Sequence, residues 1–466
     1  MKRFSFISSS LAKNFFLFLT STLILTLFFS AQSCISPTAP SNNNLNLTVA
    51  DVSCTEAWLN LTTNNITLPA NILIKKNGND FLNLTLTNKD TTIYDSTLSP
   101  NQAYTYQEFY SSGFINERSE TVTAKTMDTT SNNLTWQTFT FGGGGGISTL
   151  YDVAIVNDTS IWAVGEIYMN DSTGKPDPNF YNAVHWNGKE WNLIPISVKL
   201  TYIGSSLITD QDPLKTVFTF GSGDVWFVSQ AGGVTRLLNG NWTMLDIPFN
   251  QGPGAVNKMW GSNNNDIYFV GNEGRIIHYS NGGWQKIESG TNVKQLDAWG
   301  YSSNVWFCGW EDFKPTMLLK YNNKVLTTVI NNPNNRLFSY NPNVVSGAIE
   351  SIWTNNNNSL FLLTWYGLYR IENNNFSMPK NLWSGDPNNW GLVKVRGNNV
   401  NDIVAVGING RIWHYNGVSW KFFNELTNNT DNLYSVAIKG NLIIAVGNRH
   451  LNGVENYGVI YIGHRN

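Results

Sequence analysis

The sequence of 466 residues contains little charge, cysteine or histidine. Charged residues make up 13% of the chain, and its 30 basic residues face 32 acidic ones. It therefore lacks the basic excess typical of nucleic-acid-binding proteins. Among the three cysteines and five histidines, no group has the spacing of a zinc site. We expect no metal, no cofactor and no nucleic-acid partner.

Aromatic and turn-forming residues are abundant instead. The chain contains 18 Trp, 19 Tyr, 25 Phe and 39 Gly. Many large packing side chains and few charged ones favour strands joined by turns over charged amphipathic helices. The composition predicts an all-β protein.

The N-terminus has the pattern of an export signal. Three basic residues flank the start of the apolar run 15–29, which is followed by "SAQSC". Ala31 and Ser33 are the small residues that an export peptidase needs, so we predict a signal peptide over residues 1–33. The sequence before Cys34 also resembles a bacterial lipoprotein cleavage box, although Ala31 stands where such boxes usually have Leu. This resemblance implies that Cys34 is acylated. An ordinary secreted protein and an uncleaved anchor are the alternatives.

Residues 34–44 follow as a lipidated cysteine with a polar spacer. Cleavage after Ser33 leaves 27 basic and 32 acidic residues, a mildly acidic chain. We expect an exported protein of the bacterial cell envelope, either an outer-membrane lipoprotein or a cell-surface protein, that meets the membrane only through its lipid anchor. With Cys34 modified, Cys54 and Cys308 remain, and we expect both to be buried free thiols.

Residues 45–127 contain seven short segments with strand patterns, which predict a small β-sandwich. Trp58 lies on an early strand, where such sandwiches bury a tryptophan. Leu98 precedes Tyr104 by six residues, as at the corner where a tyrosine hydroxyl ties back to the chain. The segment resembles a fibronectin type III domain, and we expect it to have an architectural role.

A repeat occupies the remainder of the chain. Two copies are "MWGSNNNDIYFVGNEGRIIHYSNGGW", residues 259–284, and "VRGNNVNDIVAVGINGRIWHYNGVSW", residues 395–420. Seven copies of the middle strand begin at residues 161, 225, 267, 305, 360, 403 and 443. A period near 40 residues with about four strands is typical of a β-propeller blade. The repeat predicts a seven-bladed β-propeller over residues 134–466.

The final copy lacks the outer strand that ends in tryptophan. Trp136 lies upstream of the first copy at a similar interval, so residues 134–141 are predicted to supply this strand and to close the ring. The five glycines 142–146 then form a loop within the propeller, and the domain boundary lies at residues 127–133.

Two polar residue types recur in the repeat. Histidines occupy one register, at His185, His278 and His414, and aspartates precede the middle strand at Asp224, Asp266 and Asp402. Equivalent positions on different blades are spread around a ring, so neither set can converge on one metal or form a catalytic pair. We expect structural histidines and aspartates that cap turns through backbone amides.

The candidate ligand-binding residues precede the glycine position of the repeat. They are Phe220, Trp260, Trp299, Trp353 and Arg396. On innermost strands they would surround the central channel, where aromatic and guanidinium groups form a stacking platform for a sugar or a protein segment. The alternative is packing between blades. No catalytic residue is nominated.

The repeat resembles secreted bacterial propellers of the glucosyltransferase-like and sialidase-like kinds, and photosystem II assembly-factor propellers. The resemblance implies a fold rather than an activity. Sialidase Asp-boxes have Asp where this chain has Asn directly before Gly, as in "NGGW". We expect a non-catalytic binding or scaffold protein that recognises a glycan or an envelope protein. The alternative is a carbohydrate-active propeller hydrolase, a sialidase-like glycosidase.

Overall fold

The computed structural model describes residues 44–200, 208–221, 223–247, 254–333, 344–356, 358–377, 379–382, 391–451 and 455–466. The predicted signal peptide, Cys34 and nearly all of the spacer lie outside the described residues. The described residues are almost entirely strands and turns, with short 3₁₀ helices at Asn272–Gly274 and Asn424–Leu426. Within them, no helix has the length and apolar character needed to cross a membrane.

The chain divides into two compact units. The first contains Leu59–Ile93, Tyr104–Thr123 and the described residues before Val49. The second contains Val49–Trp58, Tyr94–Ala103 and Ala124–Asn466.

The strands within residues 45–125 form two sheets. A three-stranded sheet contains Leu45–Val52, Ala57–Thr63 and Asp90–Asp95, and a five-stranded sheet contains Ala70–Lys76, Asn79–Leu86, Ala103–Ser112, Ile115–Arg118 and Val122–Lys125. Trp58 and Leu98 are buried, and the Trp58 indole donates to Glu372 at 3.3 Å. Tyr106 is fully buried, whereas Tyr104 is half-buried.

The described residues from 134 onward form four-stranded antiparallel sheets, which we name A to G. The strand given first for each sheet below is called its first strand, and the letters follow the chain order of these first strands. Sheet A contains Thr149–Asn157, Ser160–Asn170, Pro176–Trp186 and Trp191–Ile194; sheet B contains Leu214–Thr219, Asp224–Ser229, Val234–Leu238 and Asn241–Met244; sheet C contains Val256–Asn263, Asp266–Gly271, Ile276–Ser280 and Gly283–Ile287. Sheet D contains Asp297–Tyr301, Asn304–Gly309, Thr316–Asn322 and Val325–Asn332; sheet E contains Ile349–Trp353, Ser359–Thr364, Gly367–Glu372 and Lys380–Asn381. Sheet F contains Leu392–Asn399, Asp402–Gly407, Ile412–Tyr415 and Trp420–Phe422; sheet G contains Asp431–Lys439, Leu442–Leu451, Glu455–Arg465 and Leu134–Gly142. A two-stranded ribbon, Val198–Leu200 with Ile208–Asp210, lies between sheets A and B along the chain.

The first strands of the sheets lie side by side. Each contacts the first strand of the next sheet from A to G, and the first strand of G contacts that of A. Apolar residues fill the spaces between neighbouring sheets, as between A and G and between B and C. The second unit is therefore a propeller-like all-β fold, with its core between the sheets and a channel along their first strands.

Sheet G contains strands from both ends of the repeat region. Leu134–Gly142 pairs antiparallel with Glu455–Arg465 over nine residue pairs, including Trp136 with Gly463. The pairing predicted for Trp136 is thus confirmed. The glycine run follows this strand, and Gly143 and Gly145 have φ values of 95° and 79°, which side chains other than glycine rarely adopt.

Cys54 and Cys308 are both buried and free, as expected. The Cys54 thiol donates a hydrogen bond to the Asp128 carbonyl, and burial raises its pKa to about 11. Burial also raises the pKa of Cys308. Neither thiol is in the ionised form that nucleophilic chemistry requires.

Candidate binding site in the central channel

The strand register assigns equivalent positions in the seven first strands. Trp260 pairs with Tyr268 in sheet C, and the corresponding pair in sheet B is Phe218 with Trp226. Phe218, rather than Phe220, is therefore the counterpart of Trp260. The sequence pattern misplaced this position by two residues because "FTFG" resembles "MWG" while its glycine lies beyond the strand.

Two predicted site residues pack between sheets. Trp260 and Trp353 are 5% and 1% exposed. Each indole lies over the glycine of the following sheet: a Cβ on Gly300 would lie 2.6 Å from Trp260 Cη2, and one on Gly397 would lie 2.8 Å from Trp353 Cη2. Phe220 covers Gly261 in the same way, at 2.8 Å. Packing between sheets, the alternative weighed for these aromatic residues, accounts for all three.

Trp299 and Arg396 do not lie over a glycine of the following sheet, because that sheet has a larger residue at the glycine position. Thr354 stands where the sheet after Trp299 would have glycine, and Ile438 holds that position after Arg396. Both side chains line a cavity of about 250 Å³ in the channel. The Arg396 guanidinium carbon is 4.4 Å from the Trp299 ring centre, and the Trp299 indole donates to the Thr354 carbonyl at 2.8 Å.

Below this cavity, one polar residue from each sheet forms a ring around the channel. The seven occupy one register position: Asp152, Thr216, Lys258, Asp297, Ser351, Lys394 and Ser435. All are at most 9% exposed. We call this set the polar ring.

The polar ring is organised around its two aspartates. Asp152 accepts hydrogen bonds from Thr216, Lys258 and Ser435 at 2.6–2.7 Å. Asp297 accepts from Ser351 at 2.6 Å and from Arg396 at 2.8 and 3.0 Å, while Lys394 lies 3.5 Å away.

These contacts determine the charge of both carboxylates. Burial by itself would raise the pKa of Asp152, but Lys258 and the two hydroxyl donors hold it below its usual value. Burial opposes Arg396 and Lys394 in the same way at Asp297, and the two cations hold its pKa far below the usual range. Neither carboxylate can hold a proton near neutral pH, which a general acid must do.

His278 and His414 each pair with an aspartate of the repeat. His278 Nε2 lies 2.7 Å from Asp266, and His414 Nε2 lies 2.7 Å from Asp402. Asp224 instead receives two hydrogen bonds from Arg236, each at 2.8 Å. The prediction that these aspartates cap turns through backbone amides is wrong, because their carboxylates bind side chains on the next strand. Within the ranges described, no three His, Cys, Asp or Glu residues are grouped as metal ligands.

A second cavity, of about 280 Å³, lies on the opposite side of the polar ring. On the shared strands its residues come directly before the ring position, as Tyr151 comes before Asp152, whereas the first cavity is lined by residues after it. Sequence reasoning missed this cavity and the ring, although the alternation of charged and apolar residues in "NKMWG" and "LDAWG" was a signal for inward-facing charge.

Comparison with known proteins adds little. No family model matches the sequence, and no curated protein matches it. Similar solved structures include YCF48 bound to D1 peptide, with 13% identity and a TM-score of 0.49, covering 71% of this chain and 97% of that chain. YCF48 from Cyanidioschyzon merolae has 13% identity and a TM-score of 0.44, with 71% and 98% covered. The computationally designed Ika8 protein has 11% identity and a TM-score of 0.43, with 68% and 98% covered. Function must therefore follow from the residues of this chain.

Proposed function

We propose that the chain is an exported, lipid-anchored, non-catalytic binding protein that recognises a glycan or an envelope protein through the central channel. In this proposal residues 45–127 are a fibronectin type III-like spacer, and residues 134–466 are a seven-bladed propeller closed by Leu134–Gly142. The seven sheets and the successive contacts of their first strands support this architecture.

The observation that carries the binding function is the position of Trp299, which is half-buried and lines the first cavity. Trp260 and Trp353 are taken up by packing, whereas Trp299 remains half-buried in the channel beside Arg396. An aromatic ring with neighbouring hydrogen-bond donors is suited to hold a sugar ring or an aromatic side chain. The lining also includes Phe218, whose ring centre is 6.4 Å from that of Trp299, and Lys439.

The hydrolase alternative requires two carboxyl groups with divided roles. Arg396 beside Asp297 is the feature that favours it, since arginine and carboxylate meet in the channel. Against it, Asp152 and Asp297 are both bound by cations, which keep them ionised. Such a pair supports charge neutralisation inside the channel rather than proton transfer.

A glycan array with the purified chain tests the binding function. We expect hits that are lost in Trp299→Ala and retained in Trp242→Ala, since Trp242 is 46% exposed on an outer strand. Thermal unfolding of both variants separates lost binding from lost folding. Absence of any glycan hit would leave an envelope protein as the partner, to be sought by cross-linking in cells.

The hydrolase alternative has a separate assay. Release of chromophore from a panel of glycosides, abolished by Asp297→Asn in a variant that still folds, would overturn the non-catalytic proposal. The lipid anchor is tested by intact mass of the membrane-extracted N-terminus, where an unmodified Cys34 would refute it.

A further inference from the structure

The second cavity is lined by lysines. Lys215, Lys258, Lys294 and Lys394 all border it, and the acidic residues at its wall are Asp152 and Glu350. Four ammonium groups around about 280 Å³ are unusual, since like charges at short range repel one another and burial weakens their hydration.

The backbone places polar side chains in this cavity. In six of the seven first strands a β-bulge falls directly before the polar ring, and the bulged residues are Tyr151, Lys215, Asn257, Glu350, Val393 and Tyr434. A bulge leaves its extra residue out of the ladder and redirects the side chain. All six border the cavity. The same irregularity, repeated around the channel, thus builds its wall.

The acidic residues of the wall are already engaged. Asp152 accepts two hydrogen bonds from Lys258, and Glu350 accepts from the indoles of Trp310 at 2.8 Å and Trp365 at 2.6 Å. Burial raises the pKa of Glu350. Lys394 lies 3.5 Å from Asp297.

Lys215 and Lys294 differ from the other two lysines of the cavity wall in their ion pairing. Among the residues that the structure describes, no ion pair includes either of them. Lys215 Nζ lies 3.9 Å from the Tyr151 ring centre in a cation–π contact, and the carboxylates of Asp152 and Glu166 attract it without forming an ion pair. Burial, with Lys294 and Lys394 nearby, lowers the pKa of Lys215 to about 8.

We propose that the second cavity binds the anionic group of a small ligand, a carboxylate, sulfate or phosphate, between Lys215, Lys294 and Lys394. This inference goes beyond the proposed function, because the second cavity lies on the opposite side of the polar ring from Trp299. A volume of about 280 Å³ is close to the lower end of ligand pockets, roughly 300–1,000 Å³, so it suits one acidic sugar unit or a free oxyanion.

The test is isothermal titration of the purified chain with glucuronate, inorganic phosphate and sulfate, with glucose as the neutral counterpart of glucuronate. We expect an anion to bind and glucose not to bind. Lys294→Gln and Lys215→Gln should each raise Kd about tenfold, which corresponds to one charge-assisted hydrogen bond. Glucuronate binding tighter than phosphate and sulfate identifies an acidic sugar as the source of the anion; the reverse identifies a free oxyanion.

Lys189→Gln is the matched control, because Lys189 is exposed between two strands of sheet A, away from both cavities, and carries the same charge. Its anion affinity should equal that of the wild type. Folding is checked by thermal unfolding, and the two cavity variants should not lose stability, since each removes a half-buried cation without an ion-pair partner.

Two outcomes would overturn the anion site. One is the absence of binding by all three anions, and the other is equal weakening by Lys189→Gln and Lys294→Gln. A neutral-glycan hit on the array together with no anion binding would refute the anion site and leave the proposed function standing. Anion binding without any glycan hit would support the site and contradict glycan recognition.

Discussion

Lys258 of sheet C reaches Asp152 of sheet A, with its Nζ 2.7 and 2.6 Å from the two carboxylate oxygens. Sheet B lies between these sheets in the chain, and its Thr216 donates to the same carboxylate at 2.7 Å. Ser435 of sheet G donates to it as well, at 2.6 Å, so one carboxylate joins four first strands inside the channel.

Asp152→Asn should destabilise the protein by roughly 3–5 kcal/mol, because it leaves the Lys258 ammonium buried without a counter-charge. The measurement is urea unfolding near pH 7. Asp158→Asn is the control, since Asp158 is exposed in a turn of sheet A. Equal stability of the two variants would contradict the structural role of the ion pair.

Gly300→Ala should cost about 1–3 kcal/mol, because its Cβ would lie 2.6 Å from both the Trp260 indole and the Asn304 carbonyl oxygen. Gly283→Ala serves as the comparison, with its nearest atom at an ordinary 3.5 Å. Thermal unfolding of both variants measures the difference. A Gly300→Ala protein as stable as Gly283→Ala would disprove the seating of Trp260 over this glycine.

Anion affinity should fall as the pH rises through about 8, where Lys215 loses its proton. The charged and titratable groups around Lys215 are Lys258, Lys294, Lys394, Asp152, Glu166, Glu350, Tyr151 and Tyr434. Glucuronate titrations between pH 7 and 10 measure the fall. It should be smaller in Lys215→Gln, with Lys258, whose pKa burial also lowers to about 8, supplying the remainder.

The ionisation of Lys215 should also make the free energy of unfolding depend on pH. The pKa of Lys215 in the folded chain is below the value of about 10.4 for an unfolded lysine. At pH values between these two pKa values, the folded state therefore binds fewer protons than the unfolded state. Without an anion, the free energy of unfolding should therefore rise between about pH 8 and 10. Lys215→Gln should reduce this rise, and an unchanged slope would contradict the burial of a protonated Lys215.

Thr135→Cys combined with His464→Cys should form a disulfide on mild oxidation, since these residues are directly paired in sheet G. The cross-link is detected as a shift of mobility on non-reducing gels. Each single variant is the control, because the native Cys54 and Cys308 are buried. Failure of the double variant to cross-link would show that the two ends of the repeat region do not pair.

The sheets could be predicted from the sequence because residues of the repeat mark where strands and turns lie. An apolar strand that ends in Val-Gly, and Asn-Gly shortly before Trp, mark strand and turn in the clearest copies, such as residues 259–284 and 395–420. Trp136 could be paired with the C-terminal strand because its distance to the next strand equals that in other copies.

The channel was not predictable in the same way. The polar ring is aspartate, threonine, lysine or serine at one position, so no single residue type marks that position in every copy. Its complementarity appears only when seven strands face one another, as when Ser435 donates to Asp152 across 283 residues. Likewise, whether an aromatic residue packs or lines the channel depends on the next sheet, as Thr354 decides for Trp299.

Sheet G joins the earliest and the latest strands of the repeat region. Its outer strand, Leu134–Gly142, is synthesised before sheets A to F, whereas its partner Glu455–Arg465 is synthesised after them. Until Glu455–Arg465 is made, the apolar faces of sheets A and F that pack against sheet G stay uncovered, as in the intermediates through which large proteins aggregate. The contacts that protect sheet A, the first sheet to be synthesised, are therefore completed last.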